Sequence, residues 1–162
     1  MIDFVEVENI KELSELASEI WHEYWVDLLS PQQIDYMVEK FQSEKAITEQ
    51  LKSENYIYFY ILVNDEIAGF IGMSHKNDYL FLSKLYIKKG FRHKGTGTKA
   101  FDFIKDYAKS CNYDKIILTV NKQNTNTIKA YEKWGFKTIE AVVTDIGNGF
   151  VMDDYIMQYS FV

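Results

Sequence analysis

The chain has 162 residues, of which 47% are hydrophobic and 26% charged, and it carries a net charge of −6. These values predict one globular domain over residues 1–162, and the acidic balance argues against general nucleic-acid binding. The single cysteine, Cys111, excludes an internal disulfide and a zinc site built from cysteines. Because His22 has no second histidine or cysteine at ligand spacing, we expect no metal.

The N-terminal segment 1–10 places acids among its apolar residues and lacks the basic start of a secretory signal. No apolar run approaches the roughly 18 residues that a membrane-spanning helix needs. We therefore expect a cytoplasmic protein with no membrane partner.

The first third of the chain predicts one short strand and three helices, over residues 2–7, 9–28, 31–41 and 43–53. Apolar residues recur at helical spacing from Ile10 to Leu28. Ser30 before Pro31 predicts a helix start, because serine caps free backbone N–H groups and proline has no N–H to leave unpaired.

Beyond Asn55, aromatic and β-branched residues predict an antiparallel meander of three strands. A loop at 90–97 then leads into a helix ending near Ser110. A crossover helix at this point implies a parallel pair of strands. The whole pattern predicts an α/β fold with a mixed, mostly antiparallel sheet of about seven strands and helices on both faces. The elements from Asn55 onward lie at 56–63, 67–74, 79–88, 97–110, 115–120, 125–134, 136–144 and 150–161.

The loop before the fourth helix has the composition of an anion site. Gly95 and Gly97 allow a close approach to backbone N–H groups that have no partner at a helix start, and Thr96 or Thr98 could add a hydroxyl. Residues 88–99 hold the chain's only arginine and four lysines without an acid, in a protein of net negative charge. Lysines there oppose the helix dipole, which favours a bound multiply charged anion over a solvated surface loop.

The spacing excludes two common phosphate sites. A dinucleotide fingerprint needs a third glycine, and a nucleoside-triphosphate loop needs Lys followed by Ser or Thr. The loop also lies in mid-chain after an antiparallel meander, which does not fit a dinucleotide fold.

Two segments resemble the signatures of the GNAT superfamily of N-acetyltransferases. Residues 86–97 end in Arg-x-x-Gly-x-Gly, and residues 120–136 carry an asparagine followed by Ala-Tyr-Glu-Lys-Trp-Gly-Phe. Their order, their separation and the order of elements along essentially the whole chain agree with that superfamily.

The resemblance implies acetyl-CoA as acyl donor, with its pyrophosphate on the loop and its pantetheine arm between the strands at 82–88 and 115–120. The arm would pair with backbone at Leu85, Tyr86 and Ile87 and contact the side chain of Asn124. The implied pyrophosphate loop consists of Arg92, His93, Lys94, Gly95, Thr96, Gly97 and Thr98.

Acetyl transfer to an amine needs a proton donor for the departing thiolate and a donor to the thioester oxygen. Tyr131 matches the family tyrosine that faces the sulfur, although its helical spacing from Ile128 and Trp134 also fits a core aromatic. A backbone N–H near Leu85 or Tyr86 is the expected donor to the oxygen.

The base that deprotonates the amine is open, because segment 82–86 lacks the glutamate that many relatives carry before the loop. A water chain, His75, Glu66 or the Asp153–Asp154 pair could serve instead.

Acceptor recognition is expected from aromatic and acidic side chains, of which Trp21, Glu23, Trp25 and Asp154 are candidates. This chemistry suits an ammonium group, so a small primary amine such as a polyamine is the preferred acceptor. The alternatives are a protein N-terminus or lysine, and a non-catalytic CoA sensor. The last strand, 155–161, could pair across a homodimer or complete the sheet.

Overall fold

A computed structural model of the chain describes residues 1–161. Within this range, twelve main elements follow the predicted order, with one additional short 3-10 turn at Lys89–Phe91. No helix of the described part is long and apolar enough to cross a bilayer. The elements are β1 (Ile2–Glu6), α1 (Ile10–Tyr24), α2 (Pro31–Gln42), α3 (Glu44–Ser53), β2 (Tyr56–Val63), β3 (Glu66–His75), β4 (Leu80–Ile87), α4 (Thr96–Ser110), β5 (Lys115–Asn121), α5 (Thr125–Trp134), β6 (Lys137–Gly147) and β7 (Phe150–Ser160).

Helix α1 is shorter than predicted. It ends at Tyr24 rather than Leu28, because the N–H groups of Leu28 and Leu29 both bond to the carbonyl of Trp25 in a turn. The following residue, Ser30, is extended, as a residue before proline prefers, and its hydroxyl caps α2 through the N–H of Gln33 at 3.1 Å. The predicted start of α2 is therefore confirmed.

All seven strands of the described chain form one sheet in the order β1-β2-β3-β4-β5-β7-β6. Every pair is antiparallel except β4 and β5, which are parallel and joined through α4 as predicted. Strand β7 lies between β5 and β6 and so completes the sheet rather than pairing across a dimer. The exposed edge on this side is β6.

Helices cover both faces of the sheet. One face packs α4 and α5 over a core that contains Ile104 and Tyr131. The opposite face packs α1, α2 and α3 over a second core that contains Leu13 and Ile47, both fully buried. The amphipathic stripes of these helices produce two apolar layers on either side of one sheet.

A β-bulge in β4 changes which face its side chains meet. Gly72 of β3 pairs with Lys84 and the next residue, Met73, pairs with Leu82, so Ser83 is the extra residue. Leu82 packs with the α4 core, whereas Tyr86 packs with the α1–α3 core. The bulge therefore turns Lys84 and Tyr86 toward the three N-terminal helices.

Candidate functional site

Strands β4 and β5 part near the middle of the sheet. Their pairing covers three residue pairs and ends at Leu82 opposite Leu118, although β4 continues to Ile87 and β5 to Asn121. A wedge-shaped opening between the two strands follows, bordered by backbone that has no ladder partner.

The backbone of β4 presents alternate groups to this opening. The N–H of Lys88 donates to the carbonyl of Ala68 in β3 at 2.7 Å, and the carbonyl of Tyr86 also points toward β3. Because successive residues of a strand direct their N–H and C=O groups to opposite sides, Leu85 and Ile87 direct theirs toward β5. Of the three predicted backbone residues, these two border the opening and Tyr86 contributes its side chain.

The start of α4 has the backbone of an anion site. Gly95 has a left-handed φ of 80° and its position is open, since nothing lies within 4 Å of where a Cβ would be. Lys99 is the first residue of α4 whose N–H reaches a preceding carbonyl, that of Gly95 at 3.1 Å. The preceding N–H groups of the helix start have no carbonyl partner within the helix, as in anion sites, and Thr98 is exposed beside them while Thr96 is buried. His93 and Lys94 are exposed in the same loop.

Arg92 lies behind the loop, against α1. Its Nε donates to the carbonyl of Ile87 at 2.7 Å, and its guanidinium lies 5.4 Å from the ring centroid of Tyr24. Glu23 accepts the N–H of Lys89 at 3.2 Å and lies 3.4 Å from the guanidinium. The carboxylate of Glu23 therefore holds the loop and does not line the cavity between α1 and the sheet.

Tyr24 bridges the opening from α1 to α5. Its hydroxyl bonds to the hydroxyl of Thr127 at 2.8 Å and accepts a hydrogen bond from the side-chain amide of Asn124. The predicted pantetheine contact, Asn124, thus lies at the edge of the opening and also ties down the end of α1.

A cavity of about 240 Å³ lies where β4 and β5 part, on the side of α1, α2 and α3. Its walls combine aromatic rings with a few polar groups, and the indole N–H groups of Trp21 and Trp25 have no hydrogen-bond partner among the described residues. Two predicted acceptor residues, Trp21 and Trp25, therefore line one cavity with the predicted acid, Tyr131. Other residues of the lining are Tyr56, Lys84, Leu85 and Asp154.

Tyr131 belongs both to the core and to the cavity. It packs against Trp134 and Phe136 at ring-centroid distances of 5.7 and 5.5 Å, yet it lines the cavity wall. Burial, and to a lesser extent the neighbouring Tyr24, raises the pKa of the Tyr131 hydroxyl well above its usual value. The hydroxyl therefore keeps its proton at neutral pH, which is the state required of an acid.

Asp154 is the one carboxylate that lines the cavity. It is 4% exposed, and its Oδ1 has no hydrogen-bond partner in the described chain. Burial, together with the negative charge of Asp153, raises the pKa of Asp154 to about 6 against the opposing effect of Lys122. The adjacent Asp153 instead is exposed and pairs with Lys122 at 2.9 Å.

We expect Asp154→Asn to stabilise the fold most at alkaline pH. The pKa of Asp154 is raised from 3.8 to about 6 in the folded protein. Burying its charge therefore costs about 3 kcal/mol at any pH at which the carboxylate is ionised in both the folded and the unfolded protein. Urea unfolding should therefore show a gain of about 3 kcal/mol near pH 8 that shrinks as the pH falls through 6 and is mostly lost by about pH 4. A gain that does not change with pH would contradict a buried charge.

Lys84 was not predicted as a site residue. It is 5% exposed, and its Nζ donates to the carbonyl of Phe41 at 3.1 Å, to Oε1 of Gln50 at 3.2 Å and to the hydroxyl of Tyr58. Burial lowers the pKa of Lys84 to about 7, and the carboxylate of Glu54 opposes that shift. The sequence feature that could have identified Lys84 is its position as a lysine in the middle of an apolar strand.

Two of the four candidate bases lie far from the cavity. The ring nitrogens of His75 bond to the hydroxyls of Tyr107 and Tyr113 at 2.8 and 3.0 Å, away from the opening. Glu66 is exposed at the start of β3. Of the side chains named from the sequence as candidate bases, Asp154 alone lines the cavity with Tyr131.

The arrangement of a helix start beside a parting in the sheet, with an aromatic cavity behind it, is that of an acyl-CoA-dependent acyltransferase. The acetyltransferase (GNAT) family model matches residues 11–136, which is most of the chain. The chain therefore belongs to the GNAT family. It is an N-acetyltransferase whose acyl donor is acetyl-CoA.

Known relatives agree with this assignment. The chain is similar to a spermidine N(1)-acetyltransferase of Thermoplasma acidophilum, at 26% identity over 151 residues and 91% of each chain. Its fold is similar to that of a PaiA N-acetyltransferase of the same organism in complex with coenzyme A, with a TM-score of 0.80, 20% identity and 99% of each chain covered. A ribosomal-protein-S18-alanine N-acetyltransferase from Escherichia coli shares the fold with a TM-score of 0.73 at 18% identity, over 99% of this chain and 94% of that one.

Proposed function

We propose that the chain, acting as one domain over residues 1–162, transfers the acetyl group of acetyl-CoA to a small primary amine bound beside Asp154. The observation that carries this proposal is a buried carboxylate with an unpartnered oxygen, in an aromatic cavity that also contains Tyr131. Aromatic faces and one carboxylate favour an ammonium group. A polyamine is the first candidate, in agreement with the name of the Thermoplasma relative.

The residues of the loop and the opening suit the donor. The N–H groups at the start of α4, the open position at Gly95 and the exposed Thr98 are proposed to hold its pyrophosphate. The backbone of Leu85 and Ile87 borders the path of its arm, and Asn124 lies on the other side. When bound, the donor supplies a thioester whose carbonyl carbon the amine attacks and whose C–S bond then breaks.

Two side chains would move the protons. The Asp154 carboxylate holds the ammonium and takes its proton, which frees the nitrogen lone pair, because a raised pKa makes this carboxylate a better proton acceptor than an exposed one. Tyr131 gives its proton to the departing sulfur. The N–H of Leu85, on the side of the opening, would donate to the carbonyl oxygen as charge develops there.

A peptide acceptor fits the cavity less well. An extended chain needs an open groove, whereas α1 covers this cavity and Tyr24 bonds across it to Asn124 and Thr127. A protein N-terminus or lysine therefore remains the second candidate, and a CoA sensor without catalysis is the third.

Release of free CoA thiol separates these candidates. We expect thiol release with polyamines or simple alkylamines, and little with peptides that have a free N-terminus or a lysine. Asp154→Asn should raise the KM for the amine about tenfold or more at pH 7.5 and lower kcat, because both the ion pair and the proton acceptor are lost, with the KM for acetyl-CoA unchanged. Binding of acetyl-CoA without thiol release from any amine would support the sensor instead.

A matched control for this experiment is Asp153→Asn, since this neighbour is exposed and paired with Lys122. It should leave the amine KM within about twofold, because exposed ion pairs contribute little.

In the wild-type enzyme, activity should fall as the pH drops through about 6, where Asp154 becomes protonated and no longer attracts the ammonium by charge.

A further inference from the structure

Lys84 places an ammonium group in the wall of the cavity that is proposed to hold the amine. Its ammonium form has three N–H donors, and the three acceptors around Nζ match them. No carboxylate of the described chain lies within ion-pairing distance of Nζ. When Lys84 is protonated, its charge is therefore hydrogen-bonded but not neutralised.

The groups packed around Lys84 come from three elements. Tyr56 and Tyr58 of β2 place their rings 5.5 and 5.0 Å from Nζ, and α3 contributes Gln50. The carbonyl of Phe41 lies near the C-terminal end of α2, where carbonyl groups are left without helix partners. Among these neighbours the only charged group that acts on Lys84 is Glu54, which is exposed beyond the end of α3.

The two charges of the cavity lie on different strands. Asp154 is on β7 and Lys84 is on β4, with β5 between them. Both side chains line the same cavity of about 240 Å³, which lies where β4 and β5 have parted. An amine held at Asp154 therefore extends its tail into the space that Lys84 borders, and like charges as much as about 10 Å apart at an effective dielectric of about 20 repel enough to change affinity about tenfold.

We propose that Lys84 is a charge gate that determines which acceptors the cavity takes: in its protonated form it excludes a second ammonium group of the acceptor, and in its neutral form it admits one. This inference rests on the proposed function, in which Asp154 holds the reacting amine. Acceptors with an uncharged tail pass the gate in either state. Acceptors with a second positive charge, such as polyamines, need the neutral state.

The pH dependence follows from the burial of Lys84. Its lowered pKa means that the cationic form is lost as the pH rises through about 7. The gate is thus closed to polycations below that pH and open above it. Asp154 titrates near pH 6 but holds the reacting ammonium of every acceptor, so its effect cancels when two acceptors are compared at one pH.

Putrescine and pentylamine form a matched acceptor pair, since one carries a terminal ammonium where the other has a methyl. For the wild-type enzyme with acetyl-CoA, we expect the ratio of kcat/KM for putrescine to that for pentylamine to rise about tenfold or more between pH 6 and pH 8.5. A ratio that stays constant would overturn the gate while leaving the proposed function intact. If no amine releases thiol at any pH, the proposed function and the gate fail together.

Variants separate the charge of Lys84 from its structural contacts. Lys84→Met should bring the ratio at pH 6 close to the alkaline wild-type value, and Lys84→Arg should hold the ratio low throughout. Lys40→Met, an equal change of charge at an exposed site outside the cavity, should follow the wild type.

If Lys84 only joined α2 to β4, both acceptors would lose activity equally and the pH trend of the ratio would survive in Lys84→Met. Should Lys84→Met fail to fold, the wild-type pH series and Lys84→Arg decide.

Discussion

Tyr131→Phe is expected to lower kcat about a hundredfold or more, with the KM for acetyl-CoA nearly unchanged. A proton donated to a departing group contributes about 10²–10⁴ in rate, and the variant removes the donor while keeping the ring. The ring packs against Trp134 and Phe136, contacts that phenylalanine preserves, so the fold should keep its stability. Steady-state kinetics with a saturating amine, together with thermal unfolding, measure both quantities.

A control for this variant comes from the same apolar core. Tyr159 packs against Phe101 and Phe136 at ring-centroid distances of 5.3 and 5.7 Å but does not line the cavity. Tyr159→Phe therefore removes a hydroxyl without touching the proposed chemistry and should retain wild-type kcat. A kcat for Tyr131→Phe within about threefold of the wild type would show that another group protonates the sulfur.

The pH profile gives a second test of Tyr131. Its raised pKa means that the proton stays on the hydroxyl as the solution becomes alkaline. Activity should therefore show no fall attributable to Tyr131 up to pH 10, where an ordinary exposed tyrosine would be half ionised. The acidic limb near pH 6 belongs to Asp154 and should remain in Tyr131→Phe if any residual rate is measurable.

Local sequence patterns could predict most of the fold and the donor side of the site. The start of α2 at Ser30–Pro31 and the bounds of β2 and α5 follow from capping residues and from runs of aromatic or apolar side chains within a few residues. The loop at 92–98 was identifiable for the same reason, because the anion site is formed by consecutive backbone groups of one short segment.

The acceptor side depends on contacts that no local pattern contains. Lys84 faces the cavity because the bulge at Ser83 reverses the alternation of β4, which strict period-two reading would assign to the opposite face. Asp154 is buried because its side chain lies on the face of β7 that the N-terminal helices cover, as that of Met152 does, whereas Asp153 on the opposite face is exposed. Glu23, which looks like an acceptor residue on an aromatic helix, is instead held by Lys89 and Arg92.

Gly95→Val is expected to weaken CoA binding by about 30-fold or more. Gly95 has a φ of 80°, a conformation that costs a residue with a side chain about 1–2 kcal/mol, and most for a β-branched one. Space is not the limit, since no atom lies within 4 Å of the added Cβ. The chain must either bear the strain or turn the first N–H groups of α4 away from the pyrophosphate, and the new side chain would stand where the anion approaches.

Isothermal titration with CoA and with pantetheine, which lacks the phosphates, assigns the loss to the loop. Gly95→Val should weaken CoA binding strongly and pantetheine binding by less than about twofold, because only CoA uses the N–H groups at the helix start. Gly90→Val is the matched control: it adds the same side chain to the same loop, at a position with open space and without a positive φ. CoA and pantetheine share the arm that lies in the sheet opening, and only CoA carries the pyrophosphate. Equal losses for both ligands would therefore mean that Gly95→Val damages the binding of the arm, and that the pyrophosphate binds elsewhere.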